Sequence, residues 1–312
     1  MPVQAIKYGI DEFGAADKIQ AKTCLLPELN DTQVLIKVHS SAINPIDLKT
    51  RAGLGFVAQA KEADEFLPLG YDVYGVVEQC GVQVSDLQVG QFVAGMVGFA
   101  KQPGCYADYV IAEADELIAF DVQQKSEVAG LCLAGLTAIQ ALKKFSSSQS
   151  TLYINAPTGG VGHLAIQLAQ LQGKEVVAVS NRPSHELLQK LAVKVVDYET
   201  FFSQKRQAHL LDLVGGEIGE RMVTNLNSGS EVVTVPTISA QQIVAAAQQS
   251  DITASGIVVE KNKADLNELV TAYRGGDLFI HVDSAFALQD IQQAHEYMEA
   301  GQHAGKIIIS HS

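Results

Sequence analysis

VLIKVHSSAI (34–43) mixes apolar–polar alternation, the period of two of an extended strand, with β-branched residues. YGVVEQCG, GQFVAGMVG and CYADYVIA are further short apolar stretches, each closed by glycine or polar turn residues, so residues 1–120 predict mostly β-structure. From about Ser126 the spacing turns helical in EVAGLCLAGLTAIQALKKF, and SSSQS (146–150) breaks it before the apolar run TLYINA.

Strand-like and helix-like stretches then take turns: TLYINA, HLAIQLAQLQG, EVVAVS, HELLQKLA, KVVDY, HLLDLVG, RMVTNL and EVVTVP. A parallel sheet needs this alternation, because each crossover helix carries the chain back over the sheet face. The prediction is a doubly wound α/β unit whose last strand ends around SGIVVEK (255–261), followed by a short mixed tail of helical and strand-like segments.

Composition narrows the function. The 312 residues are 47% hydrophobic and 18% charged, enough apolar material for packed cores, and the formal charge of -13 argues against a phosphate backbone as partner. Cys24, Cys80, Cys105 and Cys132 form no CxxC pair and predict reduced, buried thiols. Charge interrupts each apolar run near the start and no run is long enough to cross a bilayer, so a cytoplasmic protein that binds neither membrane nor nucleic acid is expected.

The sharpest chemical signal lies in TLYINAPTGGVGHLAIQLAQLQGKEVVAVSNR, where a strand runs through Thr158, Gly159, Gly160, Val161 and Gly162 into an amphipathic helix. Gly159 and Gly160 let backbone approach a pyrophosphate, Gly162 lets helix and strand pack closely, and the helix start points free amides at the anion. The next strand ends in Ser180, Asn181 and Arg182 rather than in an acidic residue that would bind ribose hydroxyls. A hydroxyl, an amide and a guanidinium suit a 2′-phosphate, which favours NADPH over NADH.

The chain resembles the zinc-independent quinone oxidoreductase branch of the medium-chain dehydrogenase/reductase superfamily. The likeness is carried by NPID (44–47), GYDVYGVV (70–77), GQFVAG (90–95), GCYADYV (104–110), GLTAIQAL (135–142), APTGGVG (156–162), VVDY (195–198), DLVGG (212–216) and AHEYMEAGQHAGKIII (294–309). It implies a GroES-like, β-rich catalytic domain formed by residues 1–121 and 261–312, with a Rossmann NADPH-binding domain, 122–260, inserted between them. It also implies a homodimer and an active site in the cleft between the domains. The Cys, His and Cys that hold catalytic zinc in other branches fall at Asn44, Tyr71 and near Leu133, none of which supplies thiolate or imidazole.

By the same resemblance Asn44 and Asp47 lie at the cleft, Asn44 donating to the acceptor oxygen and Asp47 positioning the nicotinamide ribose, a water or a neighbouring donor. On the residues alone they read equally as a polar turn and cap around Pro45. Tyr71 is a candidate proton donor, or else packing between strands. Thr137 resembles a residue near the nicotinamide, Tyr198 one near the adenosine phosphate, and Val214 and Gly215 lie in a loop following a strand. Leu54, Phe56, Phe66 and Phe99 are candidate walls for a flat hydrophobic acceptor, or a satellite core under a loop. His163 and Lys306 show no partner pattern and are read as structural. The chemistry expected is metal-free hydride transfer from NADPH to a quinone or α,β-unsaturated carbonyl. A non-catalytic NADPH-binding protein and an alcohol dehydrogenase are the alternatives.

Overall fold

The structure, a computed structural model, describes residues 3–62, 64–120, 123–146, 151–182 and 186–311. The expected domain limit at 121/122 and residues 147–150 of the SSSQS break lie outside these. The chain forms two compact units, one of residues 1–133, 260–268 and 282–312, the other of 134–259 and 269–281.

The first unit is built from β1 (Gln4–Ile10), β2 (Gln20–Leu25), β3 (Gln33–Ala42), β4 (Leu67–Pro68), β5 (Asp72–Cys80), β6 (Phe92–Met96), β7 (Tyr109–Glu113) and β8 (Leu117–Phe120). Between β3 and β4 run two short helices, α1 (Pro45–Arg51) and α2 (Phe56–Ala60). Alternation in β3 buries Val34, Ile36 and Val38 with Val73, Val77, Val93 and Val110 from the neighbouring strands. β3 is the hub: it pairs antiparallel with β5, β7 and β16 (Lys306–Ser310), and β16 pairs parallel with β15 (Val282–Ala287). The segment read as a mixed tail therefore supplies two strands of this sheet, plus α10 (Ile291–Glu299), whose Ile291 and Ala294 bury against Ile10, Ile43, Tyr106 and Ile307.

The second unit follows the predicted alternation. Its strands are β9 (Leu152–Asn155), β10 (Val176–Val179), β11 (Lys194–Val196), β12 (His209–Asp212), β13 (Glu231–Thr234) and β14 (Thr253–Gly256). All six pair in parallel in the order β11-β10-β9-β12-β13-β14. This is the doubly wound order: the side on which successive strands are added switches between β9 and β12, where such sheets open a crevice at their carboxyl ends. The crossovers are α4 (Gly160–Leu171), α5 (Glu186–Lys190), α6 (Tyr198–Phe202), α7 (Gly216–Thr224) and α8 (Ala240–Gln248). The RMVTNL stretch falls within and just past α7, and β14 ends at Gly256, so the sheet stops at the start of SGIVVEK. α3 (Cys132–Leu142) precedes β9, and α9 (Lys263–Gly275) follows the sheet.

Candidate active site

The glycine turn occupies the carboxyl end of β9. Ala156 has φ 45°, the Gly159 N–H donates to the Ala156 carbonyl at 3.1 Å, and α4 starts at Gly160. A Cβ on Gly162 would stand 2.3 Å from the Ala156 carbonyl oxygen and 2.9 Å from Pro157 Cα, so only glycine lets the helix lie this close to the turn. Thr158, Gly159, Gly160 and Val161 are partly exposed while Gly162 is buried. The opening turn of α4 thus presents amides that have no intrahelical acceptor, a cradle that fits a dinucleotide pyrophosphate.

Beyond β10, Ser180 Oγ accepts the Arg182 N–H at 3.1 Å, and Asn181 Oδ1 accepts the Tyr198 N–H at 3.5 Å. Asn181 and Arg182 are exposed at the carboxyl edge of the sheet and Tyr198 is half-buried, so the structure gathers these four residues around one loop. The donor set fits a 2′-phosphate: it includes a guanidinium and no carboxylate.

The loop after β12 is held from beneath. Asp212 Oδ1 accepts from Val214 N at 3.2 Å, Gly215 N at 2.9 Å and Asn155 Nδ2 at 2.7 Å, and Asn155 Oδ1 accepts from Leu213 N. Thr234 Oγ1 completes the Asp212 carboxylate at 2.8 Å. Gly215 has φ 67° and a Cβ there would fall 2.1 Å from Ser239 Oγ. Thr137, on α3, is buried in the same unit.

In the first unit, NPID is the start of a helix. Pro45 opens α1 and Asp47 Oδ2 reaches back to the Asn44 N–H at 2.8 Å. The Asn44 side chain turns away from that cap. Its Oδ1 accepts from Lys306 Nζ at 2.6 Å, and its Nδ2 donates to Asp72 Oδ2 at 2.8 Å and to the Ala42 carbonyl at 3.3 Å. The amide hydrogens expected to face an acceptor oxygen are therefore engaged inside the protein, because the Lys306 ammonium fixes which way the amide points.

Lys306 Nζ also donates to the Ile43 carbonyl at 3.0 Å and lies 3.5 Å from Asp72 Oδ2, while Asp72 Oδ1 accepts the Leu133 N–H at 2.7 Å. Tyr106 Oη donates to Asp47 Oδ2 at 2.9 Å. Asn44, Asp47, Asp72, Tyr106 and Lys306 are all 2% exposed or less. Asp47 Oδ1 and Tyr71 Oη have no hydrogen-bond partner among the described residues.

Burial pushes the Asp47 carboxyl up to about 7, against the opposing bonds from Asn44 and Tyr106. Burial raises Asp72 too, with Lys306, Asn44 and Leu133 pulling the other way. Tyr71 is a neutral phenol, raised by burial and by the Asp47 charge, and its ring packs edge-on against Phe99 at 5.1 Å. Of the other proposed wall residues, Leu54 and Phe56 are exposed on the segment around α2, and Phe66 lies under the Lys22 ammonium at 4.8 Å. Arg51 is buried and spent on the Gly14 carbonyl and on Glu299.

Comparison with known proteins places this arrangement. The alcohol dehydrogenase GroES-like domain matches residues 30–122, and the zinc-binding dehydrogenase domain matches residues 192–309. A 2-methylene-furan-3-one reductase of Solanum lycopersicum is 31% identical over 99% of this chain and 80% of its own. An NADPH-dependent alkenal/one oxidoreductase of Arabidopsis thaliana, chloroplastic by name, is 30% identical with the same coverage. The solved quinone oxidoreductase of Coxiella burnetii is 34% identical, covers 99% of both chains and superposes with a TM-score of 0.93.

The chain belongs to the medium-chain dehydrogenase/reductase superfamily.

Within that superfamily its relatives are quinone and alkenal oxidoreductases, and it combines a GroES-like domain with a Rossmann-like one. Asn44, Tyr71 and Leu133, at the zinc-ligand positions of other branches, present an engaged amide, a neutral phenol and an alkyl chain. This donor set does not fit a catalytic zinc. Among the described residues no group of three His, Cys, Asp or Glu side chains is placed to hold a metal ion.

Four residues with a part in these sites escape a reading of the sequence. Lys306 and Tyr106 reach Asn44 and Asp47 only through pairings far apart in the sequence, and Asn155 and Asp212 are the last residues of apolar strands. The one local hint was polarity itself, an Asn and an Asp at the ends of otherwise hydrophobic runs. His163, read as structural, is buried and bonds the Gly159 carbonyl.

Proposed function

We propose that this protein is an NADPH-dependent reductase of quinones or α,β-unsaturated carbonyls that works without a metal. The observation that carries the reading is the Ala156–Gly162 turn, a pyrophosphate cradle at the carboxyl end of β9 beside the reversal point of the sheet. Its relatives' names, an alkenal/one reductase and a quinone oxidoreductase, support the acceptor class.

Thr158, Gly159, Gly160, Val161 and Gly162 would hold the pyrophosphate, Ser180, Asn181 and Arg182 the 2′-phosphate, and Tyr198 the adenosine side. Thr137, Val214 and Gly215 would line the nicotinamide end. When bound, reduced nicotinamide supplies a hydride to an electrophilic carbon of the acceptor. The chain's own task is then to hold the acceptor, exclude water and provide a proton.

Asp47 is the proton holder in this proposal. Below its pKa of about 7 it carries the proton on Oδ1, because Oδ2 already accepts from Asn44 N and Tyr106 Oη. Tyr71 stands within electrostatic reach of that carboxyl as a neutral hydroxyl, and Asn44 acts as a positioning residue that fixes Asp47 through its backbone N–H. Phe99, Phe66, Phe56 and Leu54 would form the apolar wall. Residues 122–260 would be the cofactor domain, 1–121 with 261–312 the catalytic domain, and the protein a cytoplasmic homodimer. No helix among the described residues is long and apolar enough to cross a membrane.

The test is a panel of quinones, enones and simple alcohols with NADPH and NADH, followed by the loss or gain of reduced-nicotinamide absorbance. Turnover of quinones or enones with NADPH preferred is expected. NADPH binding with no turnover of any acceptor would establish a binding protein instead, and oxidation of simple alcohols alone would establish an alcohol dehydrogenase.

A further inference from the structure

The acid cluster of the first unit has an uneven charge inventory. Two carboxyls, Asp47 and Asp72, and one ammonium, Lys306, are enclosed together, Asp47 and Asp72 at 0% exposure and Lys306 at 2%. If both carboxyls were ionised, the enclosure would hold an uncompensated negative charge, which a low-dielectric interior strongly resists. One carboxyl therefore keeps its proton, and the hydrogen bonds decide which. Asp72 receives Asn44 Nδ2 at 2.8 Å and Leu133 N at 2.7 Å on separate oxygens, with Lys306 Nζ at 3.5 Å. Asp47 receives both of its donors on Oδ2 and none on Oδ1.

We propose that Lys306 and Asp72 act as positioning residues that assign the single proton of this enclosed cluster to Asp47 Oδ1. Asp72 takes the ammonium and is the ionised partner. Its charge then opposes ionisation of Asp47 across Asn44, whose side chain donates to Asp72 and whose backbone N–H donates to Asp47, while the Lys306 charge keeps Asp47 from being held so tightly that it never releases its proton. The Asn44 amide is the rigid spacer: turned by Lys306 at Oδ1, it presents Nδ2 to Asp72. The remaining groups facing Asp47 are uncharged: the Tyr106 hydroxyl, the Tyr71 phenol and the Cys105 thiol, the last two held neutral by burial. The inference rests on the reading above that Asp47 delivers the proton.

Opposite charge changes make the test directional. Rate that depends on protonated Asp47 is full at low pH and falls as pH rises through the Asp47 pKa. Asp72→Asn removes the like charge and leaves Lys306 facing Asp47 alone, so the falling limb of the kcat profile moves to lower pH by more than about half a unit. Lys306→Met removes the cation, so the limb moves to higher pH by a similar amount, and Lys306→Arg restores it towards the parent position. An independent reading, needing no turnover, is the infrared carbonyl band of a protonated carboxyl. It should be present in the parent at pH 6, vanish in Asp47→Asn, and titrate in the same opposite directions in the two variants. Should either single variant fold poorly, the double variant Lys306→Met with Asp72→Asn, which removes one charge of each sign, is read for the band instead, with the proton expected on Asp47.

A limb and band that stay in place in both single variants would overturn the assignment to Lys306 and Asp72 while leaving Asp47 as the acid. A parent protein with no falling limb and no band assignable to Asp47 would overturn the underlying reading instead.

Discussion

His163 bonds the Gly159 carbonyl through Nδ1 at 2.9 Å, one turn back along the chain, and accepts the His281 N–H on Nε2 at 3.2 Å. The second bond leaves Nε2 without a hydrogen, so Nδ1 carries it and donates to the glycine turn. The imidazole thus ties the glycine turn to the segment around His281 in the same unit. Replacing it with leucine removes both side-chain bonds: the Gly159 carbonyl keeps the backbone N–H of residue 163, but the His281 N–H loses its acceptor on the ring, at a cost of about 1 kcal/mol. His163→Leu should lower the melting temperature and weaken NADPH binding together, measured by thermal melting with and without NADPH.

Gly162→Ala isolates the turn. The added methyl would stand 2.3 Å from the Ala156 carbonyl oxygen, backbone that has no flexible end to move aside. NADPH affinity should fall by at least about tenfold in a titration of nicotinamide fluorescence, as the amides lose their shared direction. Retained affinity would place the pyrophosphate elsewhere.

Arg182 is exposed and its side chain is available to a phosphate. Charge-assisted bonds of this kind contribute about 1.5–3 kcal/mol. Arg182→Glu should lower the ratio of kcat/KM for NADPH over NADH by about tenfold or more, and an unchanged ratio would remove Arg182 from the site.

With Asp47 as the acid, kcat is full on the acid side and declines as pH rises through about 7. Asp47→Asn cannot donate this proton and should reduce kcat by about 100-fold or more. NADPH binding should be little changed, which separates a chemical defect from a folding one.

His295 is fully buried, and neither ring nitrogen finds a partner among the described residues. Burial, with the Arg51 charge nearby, pushes it down to about 3. Its folded pKa lies below the unfolded value of about 6.5, so the stability it contributes is complete above that value and is lost as pH falls towards 3. The slope is about 1.4 kcal/mol per pH unit for one proton. His295→Leu should therefore show a smaller loss of melting temperature between pH 7 and pH 5 than the parent protein.

The parallel sheet was legible because its period is local: TLYINA, EVVAVS, KVVDY, HLLDLVG and EVVTVP each declare a strand within a few residues. The glycine turn was legible for the same reason, since the close approach at Gly162 is to residues five and six positions earlier. The acid cluster was not. Asn44 and Asp47 showed as a polar cap at Pro45, and in the structure Asp47 does cap Asn44, but what seals them is a lysine 262 residues away from Asn44. Lys306 reads as the flank of an apolar run until β16 is known to pair with β3. Pairings of that range leave no periodic trace.

The position of Lys306 on β16 also sets an order of assembly. On a growing chain Asp47 and Asp72 emerge early, and the cation that neutralises their enclosure emerges long after, on the strand laid against β3. Closing that sheet without β16 would enclose two acids without their counterion, a cost that favours leaving them hydrated until Lys306 is in place. Docking of β16 and burial of the two acids are thereby a single event.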